Sequence, residues 1–347
     1  MAFWYLLILI VSLIGVQLRR EGFFPDFLGK EQCKAVKGFF ILLVFLGHAM
    51  ISIRNCGFSS NRIIDRMAFR IWSEMGQLVV VMFFFYSGYG VMSSLRTKGL
   101  KYLESYPKNR LLTTLVNFDI AVCCYLLLNW AMGTRVGFSK VALSMIGWES
   151  VGNSNWYIFV ILFCYLAFYL AFWVVRNNDF VGSMLVAVLV FAGMLVLHRF
   201  KGNTYWYDTM LVFPVGVFFA LYAEKITGAI QKHYWWTLAF LAGVFLVLHF
   251  GHLRSFHGVT HNVKAIVFSL LIVVLTMKVR IGNPWLIWCG LSLFPLYIYQ
   301  RLPMLAIRGL AGEKWVCANP HVFIGICFMV TVGIALLYNK YLRLKIV

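Results

Sequence analysis

Lys37 and His48 are the residue pair with the clearest potential for chemistry, and they stand eleven positions apart in KAVKGFFILLVFLGHAM. In an α-helix, eleven steps end about 20° past three full turns, so both side chains lie on one face, about 16 Å apart along the axis. The residues between them are apolar, which predicts Lys37 at the edge of a membrane span and His48 near its middle. A titratable imidazole at that depth is costly to bury and marks a candidate functional site.

The composition indicates a membrane protein. The chain has 347 residues, of which 62% are hydrophobic and only 12% are charged, and its mean hydropathy is +0.82. A soluble domain averages about 45–50% apolar and about 25% charged residues. Apolar runs of about 18–20 residues recur along the chain, and a helix of that length spans a bilayer with its backbone hydrogen bonds satisfied. The sequence therefore predicts an all-α, polytopic helical bundle, an integral membrane protein.

We predict about eleven transmembrane helices in a single membrane domain that covers residues 1–347. Their approximate ranges are 2–17, 38–54, 75–95, 111–132, 156–175, 179–198, 205–223, 234–250, 262–279, 284–307 and 319–339. The first helix has the length of a signal peptide, but it lacks a basic leading segment and a small-residue cleavage site. We therefore interpret it as an anchor.

The net charge of +19 is interpreted as a membrane feature and not as a nucleic-acid signal. The basic residues lie mostly at the ends of apolar spans, where they set topology and contact anionic lipid head groups. More than half of the 31 Lys and Arg residues fall in cytoplasmic loops if the N-terminus is outside. The loop with Arg54, Arg62, Arg66 and Arg70 opposes this orientation, so either that segment dips into the membrane or the orientation is reversed.

The cysteines and histidines show no clear metal signature. The eight cysteines form no CxxC pair, and a disulfide between Cys56 and Cys317 across outer loops is one open alternative. No carboxylate accompanies the four histidines that flank one predicted outer loop, so a loop that contacts a glycan is favoured over a metal site. These are His249, His252, His257 and His261. We expect no metal.

Six segments follow one another in a recognisable order. Besides the Lys37–His48 helix they are FFFYSGYG, YPKNRLLTTL with Arg110, SNWYIFVIL with Trp156 and Tyr157, YWYDTMLVFPVGVFFAL with Phe213, Pro214 and Gly216, and LSLFPLYIYQ with Ser292, Tyr297 and Gln300. In this order they resemble the acyltransferase-3 family of integral membrane O-acyltransferases. The resemblance covers most of residues 34–305, and residues 1–18 form an additional N-terminal helix. Lys37 stands where many members have Arg, and Gln300 where many have His.

The resemblance implies transfer of an acyl group, often acetyl from acetyl-CoA, to a hydroxyl group. The co-substrate is then acetyl-CoA or another acyl-CoA. The implied acceptor is a sugar in a cell-surface glycan or in its lipid-linked precursor, and the implied location is a bacterial cytoplasmic membrane. The expected partners are this acceptor and membrane lipids, with no nucleic acid. The pattern specifies no oligomeric state.

The candidate roles follow from this chemistry. A hydroxyl is a poor nucleophile at neutral pH, so His48 is the candidate general base. Lys37 is a candidate catalytic residue and, with Arg110, a candidate binding residue for the phosphates of CoA. Each of these cations also has an alternative role as a topological anchor. The candidate substrate-binding residues are Glu74, Trp156, Tyr157, Asp208, Tyr297 and Gln300.

Three further residues have competing interpretations. Asp119 is favoured as a structural partner of a nearby Arg or Tyr. For Ser87, helix packing through small residues is favoured over a covalent nucleophile. A helix break near Gly88 is expected to expose backbone N–H groups that stabilise the developing oxyanion.

Two other classes of function compete with acyl transfer. A transporter or flippase for a lipid-linked glycan explains the helices, the basic grooves and the intramembrane acids, but it requires no special role for Lys37 and His48. A non-catalytic membrane partner in a polysaccharide assembly complex is the third hypothesis.

Overall fold

The structure is a computed structural model that describes residues 1–60, 62–251 and 257–342. Two short strands, β1 (Val16–Leu18) and β2 (Val279–Ile281), pair antiparallel with Val16 opposite Ile281. The helices are α1 (Ala2–Leu13), α2 (Lys30–Asn55), α3 (Ile63–Met75), α4 (Val81–Lys98), α5 (Leu100–Tyr106), α6 (Thr113–Ala131), α7 (Phe138–Met145), α8 (Trp156–Val174), α9 (Asp179–Phe200), α10 (Val212–Leu221), α11 (Ala223–Lys232), α12 (Tyr234–Phe250), α13 (His257–Thr276), α14 (Pro284–Leu291), α15 (Leu293–Tyr299), α16 (Arg301–Ala318) and α17 (Pro320–Leu337).

The prediction of an all-α, multi-pass membrane bundle is confirmed. Within the described residues, seven helices are long and apolar enough to cross a membrane, and eight if the bent pair α10 and α11 counts as one span. The shorter apolar helices α1 and α12 correspond to two more of the eleven predicted segments. The last of the eleven is the broken run α14 to α16.

Several predicted boundaries differ from the observed ones. α2 begins at Lys30 and not at residue 38, so Lys37 lies inside the helix, about two turns from its start. The predicted helix 205–223 is a turn followed by α10, and the chain bends by 90° between α10 and α11. The predicted helix 284–307 is divided at Ser292 and Gln300. A hydropathy pattern contains no information about tertiary packing, so it does not predict these breaks.

The predicted polar gap 55–74 contains an amphipathic helix, α3. The apolar residues of α3 recur at helical spacing on an exposed face, and they are Ile63, Ile64, Met67 and Ile71. An exposed apolar face beside basic residues is typical of a helix in the membrane interface. This pattern supports the alternative in which the arginine-rich segment enters the membrane surface. The N-terminal ammonium of Met1 pairs with Asp65 on α3.

α2 is central to the bundle because glycines let it approach its neighbour α14 closely. A Cβ atom on Gly38 would lie 1.9 Å from the carbonyl oxygen of Leu286, and one on Gly290 would lie 1.9 Å from that of Lys34. Small residues of this kind allow membrane helices to pack backbone against backbone. The side chain of Gln32 also donates to Val279 at 3.1 Å and accepts from Ile281 at 3.0 Å, which fixes β2 against α2.

Candidate functional site

His48 lines a cavity of about 490 Å³ near the C-terminal end of α2, called here the His48 cavity. Its walls come from α2, α3, the loop before α8, α15 and α16. The polar side chains that line it include Gln77, Asn153, Ser154, Tyr297, Arg301 and Arg308, and the aromatic rings include those of Trp72, Trp156 and Tyr205.

The imidazole of His48 contacts a serine on the opposite wall. Its Nε2 atom lies 3.3 Å from the hydroxyl oxygen of Ser154, which is only 2% exposed. The loop that carries Ser154 is held by its own side chains, because Asn155 donates to the carbonyl oxygen of Gly147 at 2.7 Å and Asn153 accepts from the N–H of Val151 at 3.2 Å. A fixed hydroxyl beside the imidazole shows that His48 can engage an O–H group from this side.

Arg301 begins α16 and lies in the same cavity. Its guanidinium donates to the carbonyl oxygen of Asn153 at 3.3 Å, so it is tied to the loop that carries Ser154. Arg308, two turns further along α16, pairs with Glu313. The site therefore places positive charge in the cavity that contains the candidate base.

A second cavity of about 640 Å³ lies toward the N-terminal end of α2 and is called here the Lys37 cavity. Four basic side chains line it, namely Lys30, Lys34, Lys37 and Arg110. Among the described residues of its lining there is no Asp or Glu. Arg110 lies in a π-helical segment, Pro107–Leu112, and such segments occur frequently at functional sites. The charge and size of this cavity suit an anionic ligand that carries several phosphate oxygens.

Two tyrosines separate the cavities. Tyr297 lines both of them, and Tyr157 lines the Lys37 cavity. Their ring centroids are 5.1 Å apart, and both residues are buried. The cavity that contains Lys37 and the cavity that contains His48 therefore adjoin at Tyr297.

The structure brings together most of the residues predicted for the site. His48, Trp156 and Tyr297 meet in the His48 cavity, and the ring of Trp156 lies 5.7 Å from that of Tyr205. The Lys37 cavity contains Lys37, Arg110, Tyr157 and Tyr297. The predicted cofactor and substrate residues thus divide between two neighbouring cavities.

Three predicted substrate-binding residues do not line either cavity. Glu74 is exposed and lies 3.3 Å from the Nε2 atom of His249, although its neighbours Ser73 and Met75 do line the His48 cavity. Gln300 is fully buried and donates to the carbonyl oxygen of Tyr297 at 2.9 Å, a bond that helps to fix Tyr297.

The third, Asp208, is buried in the turn before α10. Its main-chain carbonyl oxygen lies 3.3 Å from Nδ1 of His261. Asn262 braces the same turn by donating to the carbonyl oxygen of Tyr207 at 2.8 Å. These contacts of His261 and Asn262 hold the backbone of the turn that carries Asp208.

The expected helix break at Gly88 is wrong. α4 runs without interruption from Val81 to Lys98, so its backbone N–H groups are used within the helix. A Cβ atom on Gly88 would lie 2.1 Å from the carbonyl oxygen of Phe213, which explains the glycine by close packing of α4 on α10. The neighbouring Ser87 lines the Lys37 cavity, where its hydroxyl oxygen accepts a hydrogen bond from Tyr165 at 3.3 Å.

The first turn of α8, and not α4, provides backbone N–H groups that are free to stabilise an oxyanion. N–H groups in the first turn of a helix have no carbonyl partner within that helix. Asn155, at the cap position, makes no capping hydrogen bond to them. Because Ser154, Asn155 and Trp156 line the His48 cavity, this helix end is directed at the site and favours developing negative charge.

Ser154, Asn153 and Arg301 were missed as site residues by sequence reasoning. Ser154 opens the recognised segment SNWYIFVIL, and Arg301 directly follows Gln300, the last residue of another. Both lie at helix starts, whose positions a hydropathy pattern defines poorly. The signal that could have identified these residues was their position in the sequence, within or directly beside the recognised segments.

The described residues contain no group of three His, Cys, Asp or Glu side chains that could hold a metal ion. His249 and His261 take part in the separate contacts given above, His252 lies outside the described residues, and the side chain of His257 is not described. Cys56 and Cys317 are free thiols, and Sγ of Cys317 lies 2.6 Å from the carbonyl oxygen of Cys56.

A bundle with apolar spanning helices around two internal cavities defines a multi-pass membrane protein. The profile of the acyltransferase-3 family, described as an acyltransferase domain, matches residues 33–339, nearly the whole chain. The chain therefore belongs to the acyltransferase-3 family and is a membrane acyltransferase. No curated protein and no solved structure matches the chain.

Proposed function

We propose that this protein transfers an acyl group, acetyl in the simplest case, from acyl-CoA to a hydroxyl of a cell-surface glycan or its lipid-linked precursor. The single observation that carries the proposal is the pair of cavities that meet at Tyr297, one lined by Lys37 and Arg110 and the other by His48. Membership in an acyltransferase family favours catalysis over the transport and non-catalytic hypotheses. A bacterial cytoplasmic membrane is the proposed location.

The Lys37 cavity is the proposed site of the donor. Its four cations match the phosphate groups of CoA, and it is large enough for a cofactor-sized ligand. Lys37 contributes a hydrated ammonium charge there and does not form the bidentate hydrogen bonds that an arginine would form. The acyl end of the donor reaches past Tyr157 and Tyr297 toward the His48 cavity.

The His48 cavity is the proposed site of the acceptor and of the reaction. His48 removes the proton from the acceptor hydroxyl as its oxygen attacks the thioester carbonyl carbon. The N–H groups at the start of α8 stabilise the resulting oxyanion. The C–S bond then breaks, the CoA sulfur takes the proton from His48, and an ester and CoA leave. The step as written needs no covalent enzyme intermediate.

The aromatic lining of the His48 cavity supports a sugar acceptor. Trp72, Trp156 and Tyr205 present apolar ring surface together with polar N–H and O–H groups. Such side chains combine a large apolar contact with a hydrogen-bonding edge. The neutral polar groups nearby, from Asn55 and Ser150 among others, suit the hydroxyls of a sugar.

The test compares glycan O-acylation by mass spectrometry in cells with the intact protein, a deletion, and His48→Ala at matched membrane levels. We expect one acyl mass increment that disappears in both altered strains. The matched control is His233→Ala, the same substitution at an exposed histidine between α11 and α12 that lines neither cavity. This control should keep the increment.

Each outcome has a distinct meaning. An increment that is lost in the deletion but kept in His48→Ala would remove the histidine mechanism. Identical glycans in all strains, together with no consumption of acetyl-CoA by the purified protein, would overturn acyl transfer to glycans.

A further inference from the structure

The only charged side chains among the described lining residues of the His48 cavity are arginines. Arg301 and Arg308 both line it, and no Asp or Glu is among the described residues of its lining. Arg308 has Glu313 as its partner. For Arg301, no carboxylate lies within ion-pair distance in the described part of the chain, and its guanidinium donates to the carbonyl oxygen of Asn153.

A guanidinium has five N–H donors, so the bond to Asn153 leaves Arg301 with donors for a ligand. Arg301 lies at the junction of α15 and α16 and lines the His48 cavity. Ionisable side chains that face the interior of a membrane bundle often mark the path of a substrate.

Two buried side chains beside Arg301 also carry unused polar atoms. Asn153 is 1% exposed, and its Nδ2 atom has no hydrogen-bond partner. Its Oδ1 atom accepts from the N–H of Val151, which fixes the amide so that the donor end is the free one. The hydroxyl of Tyr297, a residue 2% exposed, is likewise without a partner. Buried polar atoms are rarely left unpaired unless something else pairs them.

We propose that the acceptor carries an anionic oxygen group, a carboxylate or a phosphate, that binds to the guanidinium of Arg301 in the His48 cavity. This inference rests on the proposed function and specifies its substrate class. The planar fork of Arg matches the two oxygens of either group. Arg308 already pairs with Glu313, and the rest of the lining is neutral and partly aromatic, so an acidic sugar or a sugar phosphate suits this cavity.

The experiment uses glycan isolated from the deletion strain, which lacks the acyl group, and full-length purified protein with labelled acetyl-CoA. The acidic and neutral fractions are separated by anion exchange and offered as acceptors. Portions of the acidic fraction are carboxyl-reduced, which converts uronates to neutral sugars, or dephosphorylated. These treatments distinguish a carboxylate from a phosphate on otherwise identical acceptors.

We expect transfer to the acidic fraction, and we expect one of the two treatments to lower kcat/KM by about 30-fold, the effect of removing one partner of a buried charge pair. In Arg301→Gln, the ratio of kcat/KM for the native acceptor to kcat/KM for the neutralised acceptor should fall close to one. Arg301→Lys should restore part of this ratio. The matched control is Arg199→Gln, since Arg199 is exposed at the end of α9 and lines neither cavity. It should keep the wild-type ratio.

Equal transfer to native and neutralised acceptors would overturn the inference, as would an acyl group found only on neutral glycan. An equal loss for both acceptors in Arg301→Gln would assign Arg301 to the reaction itself and overturn its role in acceptor choice. If the purified protein neither transfers acetyl nor consumes acetyl-CoA, the proposed function fails and this inference fails with it.

Discussion

The Nε2 atom of His48 lies 3.3 Å from the hydroxyl oxygen of Ser154. This contact joins α2 to the start of α8, and it brings together two sequence segments that are more than 100 residues apart. A hydroxyl in this position can orient the imidazole ring. We infer that Ser154 is a positioning residue for His48.

Ser154→Ala should lower kcat for acyl transfer by about fivefold while KM for acyl-CoA stays near its wild-type value. The expected size is that of one neutral hydrogen bond, about 1 kcal/mol. Steady-state kinetics on purified protein measures both constants. Ser183→Ala is the control, because the Ser183 hydroxyl donates to the carbonyl oxygen of Asp179 within α9 and lines neither cavity. A loss as complete as that of His48→Ala would point instead to a covalent role for Ser154.

Lys37→Ala should raise KM for acyl-CoA by about 10-fold or more, because a hydrogen bond to a charged group contributes about 1.5–3 kcal/mol. Lys37→Arg keeps the charge and should retain most activity. Lys101→Ala is the matched control, since Lys101 is exposed and does not line the Lys37 cavity. Unchanged kinetics in Lys37→Ala would identify Lys37 as a topological anchor.

Tyr297→Leu should increase hydrolysis of acyl-CoA relative to transfer. The Tyr297 ring lines both cavities, and the smaller side chain would let water from the His48 cavity reach the thioester. The ratio of free acetate to acylated glycan measures this leak. Tyr297→Phe keeps the ring and should keep the wild-type ratio. A ratio that is unchanged in Tyr297→Leu would show that this ring does not control access.

The sequence predicted the spanning helices because a long apolar run is a strong local signal. It also predicted that Lys37 and His48 share a face, since both lie in the unbroken helix α2. The amphipathic helix α3 and the short helix α7 were missed because they lie in polar gaps. The breaks at Ser292 and Gln300 were missed because they arise from packing between distant segments.

The site was harder to predict than the fold. Arg301 and Ser154 reach His48 only through tertiary folding, and neither has a sequence spacing that relates it to His48. Glu74 was selected because it directly precedes the predicted helix 75–95, but its carboxylate lies beside His249 at the end of α12. A position at a helix entrance therefore did not show which cavity the side chain faces.

A reporter fused after Val347 should be active in the cytoplasm, and one placed before Met1 should behave as extracytoplasmic. In the structure, Tyr338 near the C-terminus donates to Asn117 on α6 at 2.6 Å, on the side of the bundle that carries Arg110. The ammonium of Met1 pairs with Asp65, near the other end of α2. The Lys37 cavity then opens toward cytosolic acyl-CoA. The reverse reporter pattern would contradict the assignment of this cavity to the donor.

Gly88→Ala should lower the thermal stability of the purified protein. The new Cβ atom would lie 2.1 Å from the carbonyl oxygen of Phe213, so α4 and α10 would have to separate, at a cost of about 1–3 kcal/mol. Thermal unfolding in detergent measures the change in Tm. Gly90→Ala is a matched control in the same helix, because a Cβ there meets no atom within 4 Å.

Alanine at position 90 should leave Tm unchanged or raise it, since alanine favours a helix over glycine by about 1 kcal/mol. The two substitutions add the same methyl group two residues apart, so their difference reports the contact and not the helix propensity. Equal Tm values for Gly88→Ala and Gly90→Ala would contradict close packing of α4 on α10. A larger loss in Gly88→Ala would confirm that the glycine is required for this helix pair, which holds Ser87 at the wall of the Lys37 cavity.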